Sequence, residues 1–404
     1  MRSRAVPAAG VLVLASGAAA VVALTLASGL SPGLARAVSP VPGLKLETKL
    51  PTWVAPGGHV TVNGFSSARA VVVLRLNGRR VALARAGRFG RFRFNIDAPA
   101  TGRYAVSLRS STARRALGVL HVRPILLAAV GDITPGEQVG PTVQSAGPAY
   151  PWGNVGPVLR GADITTANLE GAISTRGARA PNKQFHFEGP QAVLAGARKY
   201  GGIDVLTLAN NHVMDYGAEA LSDSLAAARR AGIQTVGAGM TLASARRPAF
   251  LRVGGLTVAF LGYSDVNPSG FVATGSTPGT APADAGQIAA DVAAARRKAD
   301  LVVVWFHWGT ELHPLPDSRQ RLFSAAALQA GARVVLGAHP HVLGPVERPT
   351  RSALVAWTLG NFVFPPTTSA TLRTAILLVK LDRRGVSGVR LVPATSGVRP
   401  TLSQ

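Results

Sequence analysis

Gly337-Ala338-His339-Pro340-His341 follows the apolar run Val334-Val335-Leu336. The run is short and mostly β-branched, so it reads as a buried strand. Two imidazoles then stand at its carboxyl end. Residues two apart in an extended segment point to the same side, and Pro340 between them forbids helix. A convergent histidine pair suits Zn, Mn or Fe better than Mg or Ca. The plain alternative is a pair of polar loop residues. Further candidate ligands at the ends of other predicted strands weigh against that alternative.

Working outward, Ile125–Val130, Ile203–Leu208, Val258–Leu261, Leu301–Phe306 and Val334–Leu336 read as buried strands. Ala218–Arg230, Ala285–Ala299 and Ser318–Ala330 read as helices between them. This alternation predicts an α/β domain over 124–404, with helices on both faces of a sheet. In such folds the site lies beyond the carboxyl ends of the strands. Asp132 follows the first strand, and Glu170 closes Ala167-Asn168-Leu169-Glu170. Asn210-Asn211-His212 ends the strand Ile203–Leu208, and His307 ends the strand from Leu301. Each has a bland reading: a turn former, a surface acid, a core histidine. Asp215 reads as the cap of the helix starting near Ala218. Together, one Asp, one Glu, one Asn and three His supply enough ligands for a two-metal centre. His212 is then free to act as general acid.

Composition sets the outer bounds. The 404 residues allow two or three domains and a large core. No cysteine is present, which excludes thiolate metal sites, thiol nucleophiles and disulfides. No Walker A loop, Gly-x-Ser-x-Gly elbow or His-Glu-x-x-His helix occurs. The formal charge of +24 implies attraction to polyanions or anionic lipid, unless it reflects a general arginine bias. An anionic polymer and the membrane are the expected partners, and nucleic acid is not.

Residues 1–40 read as a signal peptide or N-terminal membrane anchor. Arg2 and Arg4 precede an uncharged apolar stretch, and Ala35-Arg36-Ala37 resembles a cleavage site. The expected location is extracytoplasmic, either anchored or secreted. Over 41–123, short strand-like runs alternate with turn signals, Asn77-Gly78 above all. They predict a small all-β immunoglobulin-like sandwich. It carries roughly +13 of charge, mostly arginine.

The motifs from about Leu126 to Phe364 resemble the bacterial CapA family, linked to poly-γ-glutamate capsule synthesis. The resemblance rests on Gly131-Asp132-Ile133, Ala167-Asn168-Leu169-Glu170, Phe185-His186-Phe187-Glu188-Gly189-Pro190, Ala209-Asn210-Asn211-His212 through Asp215-Tyr216-Gly217, His307-Trp308-Gly309, Gly337-Ala338-His339-Pro340-His341 and Leu359-Gly360-Asn361-Phe362. It implies a four-layer, calcineurin-like metallophosphoesterase-type sandwich: two packed sheets with helices outside. It also implies that Asp132 and His341 hold one divalent metal, that Asn211, His307 and His339 hold another, and that Glu170 bridges them. The ions would be Mn, Zn or Fe. His212 matches the histidine that assists the leaving group, and Asn168 and Asn210 are expected to contact substrate.

Two departures stand out. Thr134 occupies the place of a metal-binding histidine in metallophosphoesterases, and Glu170 that of the bridging aspartate. The function this implies is synthesis, export or trimming of an anionic surface polymer such as poly-γ-glutamate, by metal-dependent hydrolysis or transfer. The alternative is a non-catalytic polymer-binding subunit of a membrane synthase complex.

Overall fold

A computed structural model describes residues 43–403, and the expected export segment at 1–40 lies outside them. Among the described residues no helix is long and apolar enough to cross a membrane.

Short strands with alternating burial build the amino-terminal part. Lys45–Leu46, His59–Phe65 and Arg91–Asp97 form one sheet. Trp53–Val54, Arg114–Val122, Gly102–Arg109, Val71–Leu76 and Arg79–Arg85 form a second, in that spatial order. Val60, Val62, Phe92 and Phe94 from the first share a core with Val72, Leu74, Leu108 and Leu120 from the second. Asn77 and Gly78 both adopt positive φ, 48° and 78°, and join Val71–Leu76 to Arg79–Arg85 as a two-residue hairpin. That left-handed pair matches the twist of the flanking strands.

The described residues on either side of the expected 123/124 boundary pack into one compact unit. Backbone hydrogen bonds cross that point. Ala55 N donates to Gly254 O at 2.8 Å, and His59 N donates to Gly255 O at 2.9 Å.

The remainder is α/β, but its strands form two large sheets rather than one. The eight-stranded sheet runs Gln234–Val236, Val205–Thr207, Ile164–Leu169, Ile125–Ile133, Arg373–Asp382, Gly385–Thr395 and Thr401–Leu402, with Asn361–Val363 pairing beside Ile125–Ile133. The six-stranded sheet runs Ala249–Val253, Leu256–Ser264, Leu301–His307, Val334–Ala338, Ala353–Ala356 and Val346–Thr350. Leu127, Ala129, Val205 and Leu377 of the first meet Phe260, Val303, Trp305 and Leu336 of the second in a common core.

Each sheet therefore has helices on its outer face alone, which corrects the single sheet flanked on both sides. Helices Val139–Ala146, Ala192–Lys199 and Gly217–Arg230 cover the first sheet. Ala285–Arg296 and Ser318–Gln329 cover the second. Asp284 and Asp317 cap these last two helices by accepting from the backbone N–H groups of Gln287 and Gln320.

Candidate metal centre

The parallel strands of both sheets end at one place, and their registers decide which side chains meet. Asn168 pairs with Asp132 across the first sheet. His307 pairs with Ala338 across the second, which sets His339 beside it. A direct bond ties the two sheets just behind the site, where Trp305 Nε1 donates to Thr166 Oγ1 at 2.9 Å. Gly131 is required by close approach: a Cβ there would lie 1.7 Å from Gly360 O. Without it the strand carrying Asp132 could not sit against the Gly360-Asn361 segment, to whose Gly360 carbonyl Asp132 N donates.

The two histidines of the opening stretch do not converge by strand alternation. The strand ends at Ala338, and His339 and His341 take positive φ values of 98° and 60°. Non-glycine residues hold such backbone only where the surroundings over-determine it, and functional sites are where this concentrates.

At the centre stands Glu170. It is fully buried, and both carboxylate oxygens lack a hydrogen-bond partner. Its Oε1 lies 3.6 Å from His307 Nε2, 3.9 Å from His341 Nε2 and 4.0 Å from His212 Nε2. Ligand atoms of Glu170, His307 and His339 cluster within 4.8 Å of one another, as do those of Asp132, Glu170 and His341. Glu170 belongs to both groups. Asn211 Oδ1 joins the first, 2.7 Å from His307 Nε2. The expected ligands are thus brought together. The exposed carboxylate of Glu311 forms a third group with His339 and His341, which the sequence reading did not include.

Electrostatics point the same way. Burial holds the Glu170 carboxyl well above the usual range, and nearby Asp132 adds to the shift. Burial also raises Asp132, against the opposing pull of His341. Burial drives His307 well down, and takes His339 to about 3, with the neighbouring histidines adding to it. Carboxyls resist losing protons and imidazoles resist gaining them. A divalent cation favours the opposite for the acids and uses the neutral imidazoles as they stand. Orphaned carboxylate oxygens, an unpartnered His339 Nδ1 and a mixed N/O donor set therefore fit such an ion.

Asn168 and Asn210, the expected substrate contacts, are fully buried and bonded inside the protein. Asn168 Nδ2 donates to Asp132 Oδ1 at 2.8 Å, and Asn210 Nδ2 donates to Asn168 Oδ1 at 3.1 Å. Asn210 Oδ1 in turn accepts from His212 N at 3.0 Å. The amides form a chain that positions Asp132 and His212 and offers no group to solvent. Thr134 is also buried, and its Oγ1 accepts from Gly136 N at 3.2 Å.

Asp215 is not a helix cap. Tyr216 precedes the helix, which has no side-chain cap. Asp215 is buried instead. Its Oδ2 accepts from His212 Nδ1 at 2.7 Å and from Phe187 N at 2.8 Å. That bond leaves His212 Nε2 facing Glu170. Lys183 donates to Asp215 Oδ1 and to Asn211 O, and its Nζ lies 3.3 Å from His212 Nδ1. Phe187 stacks on His212 with ring centres 4.2 Å apart. Asn361 Oδ1 accepts from His341 Nδ1 at 2.8 Å. Asn361 and Phe187 lay within motifs the sequence displayed, whereas nothing in the sequence around Lys183 marked it.

A sequence model described as "Bacterial capsule synthesis protein PGA_cap" matches residues 126–366, the span holding every residue of this centre. The chain belongs to that family. It is 33% identical over 266 residues to the PGA biosynthesis protein CapA of Bacillus subtilis (strain 168), covering 65% of this chain and 70% of that one. It is 31% identical over 276 residues to the capsule biosynthesis protein CapA of Bacillus anthracis, covering 67% of each. A probable polyglutamine synthesis accessory protein of Mycobacterium tuberculosis (strain ATCC 25618 / H37Rv) is 33% identical over 215 residues, covering 49% of this chain and 55% of that one. The two amino-terminal sheets lie outside the PGA_cap match.

Proposed function

We propose that this protein acts in building, exporting or trimming an acidic capsule polymer such as poly-γ-glutamate, through metal-dependent hydrolysis or transfer. The observation carrying the chemistry is Glu170: fully buried, unpartnered, and ringed by three imidazoles. An ionised buried carboxylate without a partner is strongly unfavourable, so Glu170 stays protonated or ligates a cation. The capsule polymer comes from the named relatives. The reading includes a calcineurin-like metallophosphoesterase fold, an immunoglobulin-like character for the amino-terminal sheets, and export directed by residues 1–40.

In this reading Glu170, His307, His339 and Asn211 would hold one ion, and Asp132, His341 and Glu170 would hold a second. Such ions, when bound, would supply charge neutralisation and an activated water for hydrolysis of an amide or phosphoester. The chain's own residues do the rest. Asp215 fixes the His212 tautomer with the proton on Nδ1. A His212 protonated at Nε2 as well then gives that proton to the leaving atom. Phe187 and Lys183 hold the imidazole and its carboxylate in place. Asn168 and Asn210 keep Asp132 and the His212 backbone in register.

Thr134 favours a second reading, a polymer-binding accessory subunit whose centre is structural. Its hydroxyl is spent on the loop backbone where an imidazole is expected.

Elemental analysis of the purified protein, with assays on poly-γ-glutamate and a generic phosphodiester, tests both readings. Bound metal with turnover of either substrate supports the enzyme. Bound metal with polymer binding but no turnover supports the accessory role. No bound metal, and none gained on adding Mn or Zn, overturns the metal centre.

A further inference from the structure

The five-stranded amino-terminal sheet carries an arrangement that folding alone disfavours. Its outward face bears Arg75, Arg80, Arg85, Arg103, Arg109 and Arg114, opposite the buried face of Val72, Leu74 and Leu108. Arg75 pairs directly with Arg80, and Arg109 with Arg114. Like charges directly opposite across strands are destabilising. None of its strands contains Asp or Glu. Among the described residues none of these six arginines has an acidic partner.

General arginine richness does not account for this. Elsewhere several arginines stand against acids, among them Arg123 with Asp163, Arg176 with Asp223, Arg198 with Asp204, Arg246 with Asp291 and Arg319 with Asp265, whereas here arginines face arginines across strands. Edge protection accounts for charge on Arg79–Arg85, which is an edge strand. It does not account for Arg109, whose strand lies between Val71–Leu76 and Arg114–Val122.

We propose that this face is a docking surface for a linear polycarboxylate, the acidic polymer of the functional reading above, on which this proposal rests. Charge complementarity carries it. The guanidinium fork matches a carboxylate bidentately, and a chain bearing a carboxylate on every unit satisfies successive arginines at once. A polymer fits better than a lipid surface. The exposed apolar residues of the face, Val71, Leu83 and Val119, are aliphatic. Its one aromatic, Trp53, in register with His121 and Arg103, is engaged under Arg123 and against Gly254 rather than free to anchor in a headgroup layer.

The test measures equilibrium binding of poly-γ-glutamate to the full chain at low and high salt, with metal chelated so that turnover plays no part. Inactivity of the metal centre therefore leaves the result readable. Arg109→Gln/Arg114→Gln should bind about tenfold more weakly and have an unchanged or raised melting temperature, since a repulsive pair is removed. Arg103→Gln gives a second, single-site measure of the same loss. Arg297→Gln/Lys298→Gln removes equal charge away from the sheet and should bind like the parent. Equal losses in the sheet variant and this control would overturn the proposal. So would absence of polymer binding, or binding to phosphatidylglycerol vesicles alone.

Discussion

His212 Nδ1 lies 2.7 Å from Asp215 Oδ2, and this bond turns the other ring nitrogen toward the orphaned carboxylate of Glu170. Burial lowers the His212 pKa while Asp215 works to raise it. The carboxylate thus stabilises the protonated ring that proton donation requires.

Asp215→Asn keeps the shape but weakens that support. We expect polymer or phosphodiester turnover to fall at least about 100-fold, with metal content unchanged. His212→Ala should give the same pair of results. Loss of metal in either variant, seen by elemental analysis, would mean that His212 serves the ions rather than the leaving group.

The two candidate ion positions should differ in strength. One combines Glu170, His307 and His339, all buried. The other combines Asp132, Glu170 and the more exposed His341, and has Thr134 where a further imidazole is expected. More imidazole ligands favour a borderline metal. His339→Ala should strip the retained metal, and His341→Ala should leave most of it. Equal losses in the two variants would sink this ranking.

Glu170→Gln should separate stability from metal binding. In metal-free protein the parent buries a carboxyl with no partner, whose ionisation burial opposes, and the amide cannot ionise. We expect metal-free Glu170→Gln to melt about 1–2 °C above the metal-free parent, as about 1 kcal/mol gives for a chain of this size. Added Mn or Zn should stabilise the parent and not the variant. A variant less stable than the metal-free parent contradicts the unpaired-carboxylate account.

Acid should destabilise the metal-free protein through His339. Its pKa is lowered from 6.5 to about 3, chiefly by burial. Between those values the unfolded chain binds a proton that the folded chain does not. The contribution is complete above 6.5 and is lost as pH falls toward about 3. Asp132 and Glu170 are raised, so their protonation in the folded state works in the opposite direction. The His339 part is isolated by difference. Melting temperatures of metal-free parent and His339→Gln, from about pH 8 to about pH 4, should show the flatter acid limb in the variant. Parallel curves would refute it.

The sequence by itself determined the ligand-bearing motifs, the strands that present them and the Asn77-Gly78 hairpin. These are local facts: a β-branched run, a turn dipeptide, a carboxylate or imidazole at a strand end. It also showed that strands such as Leu301–His307 are buried on both faces. What covers each face is not local, so one sheet between helices and two sheets face to face look alike along the chain. Only the tertiary structure decided that Leu127 and Ala129 meet Val303 and Trp305. It alone decided that Asp215 turns from its helix to His212, that Lys183 joins them across a loop, and that Asn168 and Asn210 spend their amides internally. The physical reason is the same each time: a buried polar group is committed by its partner, and the partner is supplied by register and packing between segments far apart in sequence.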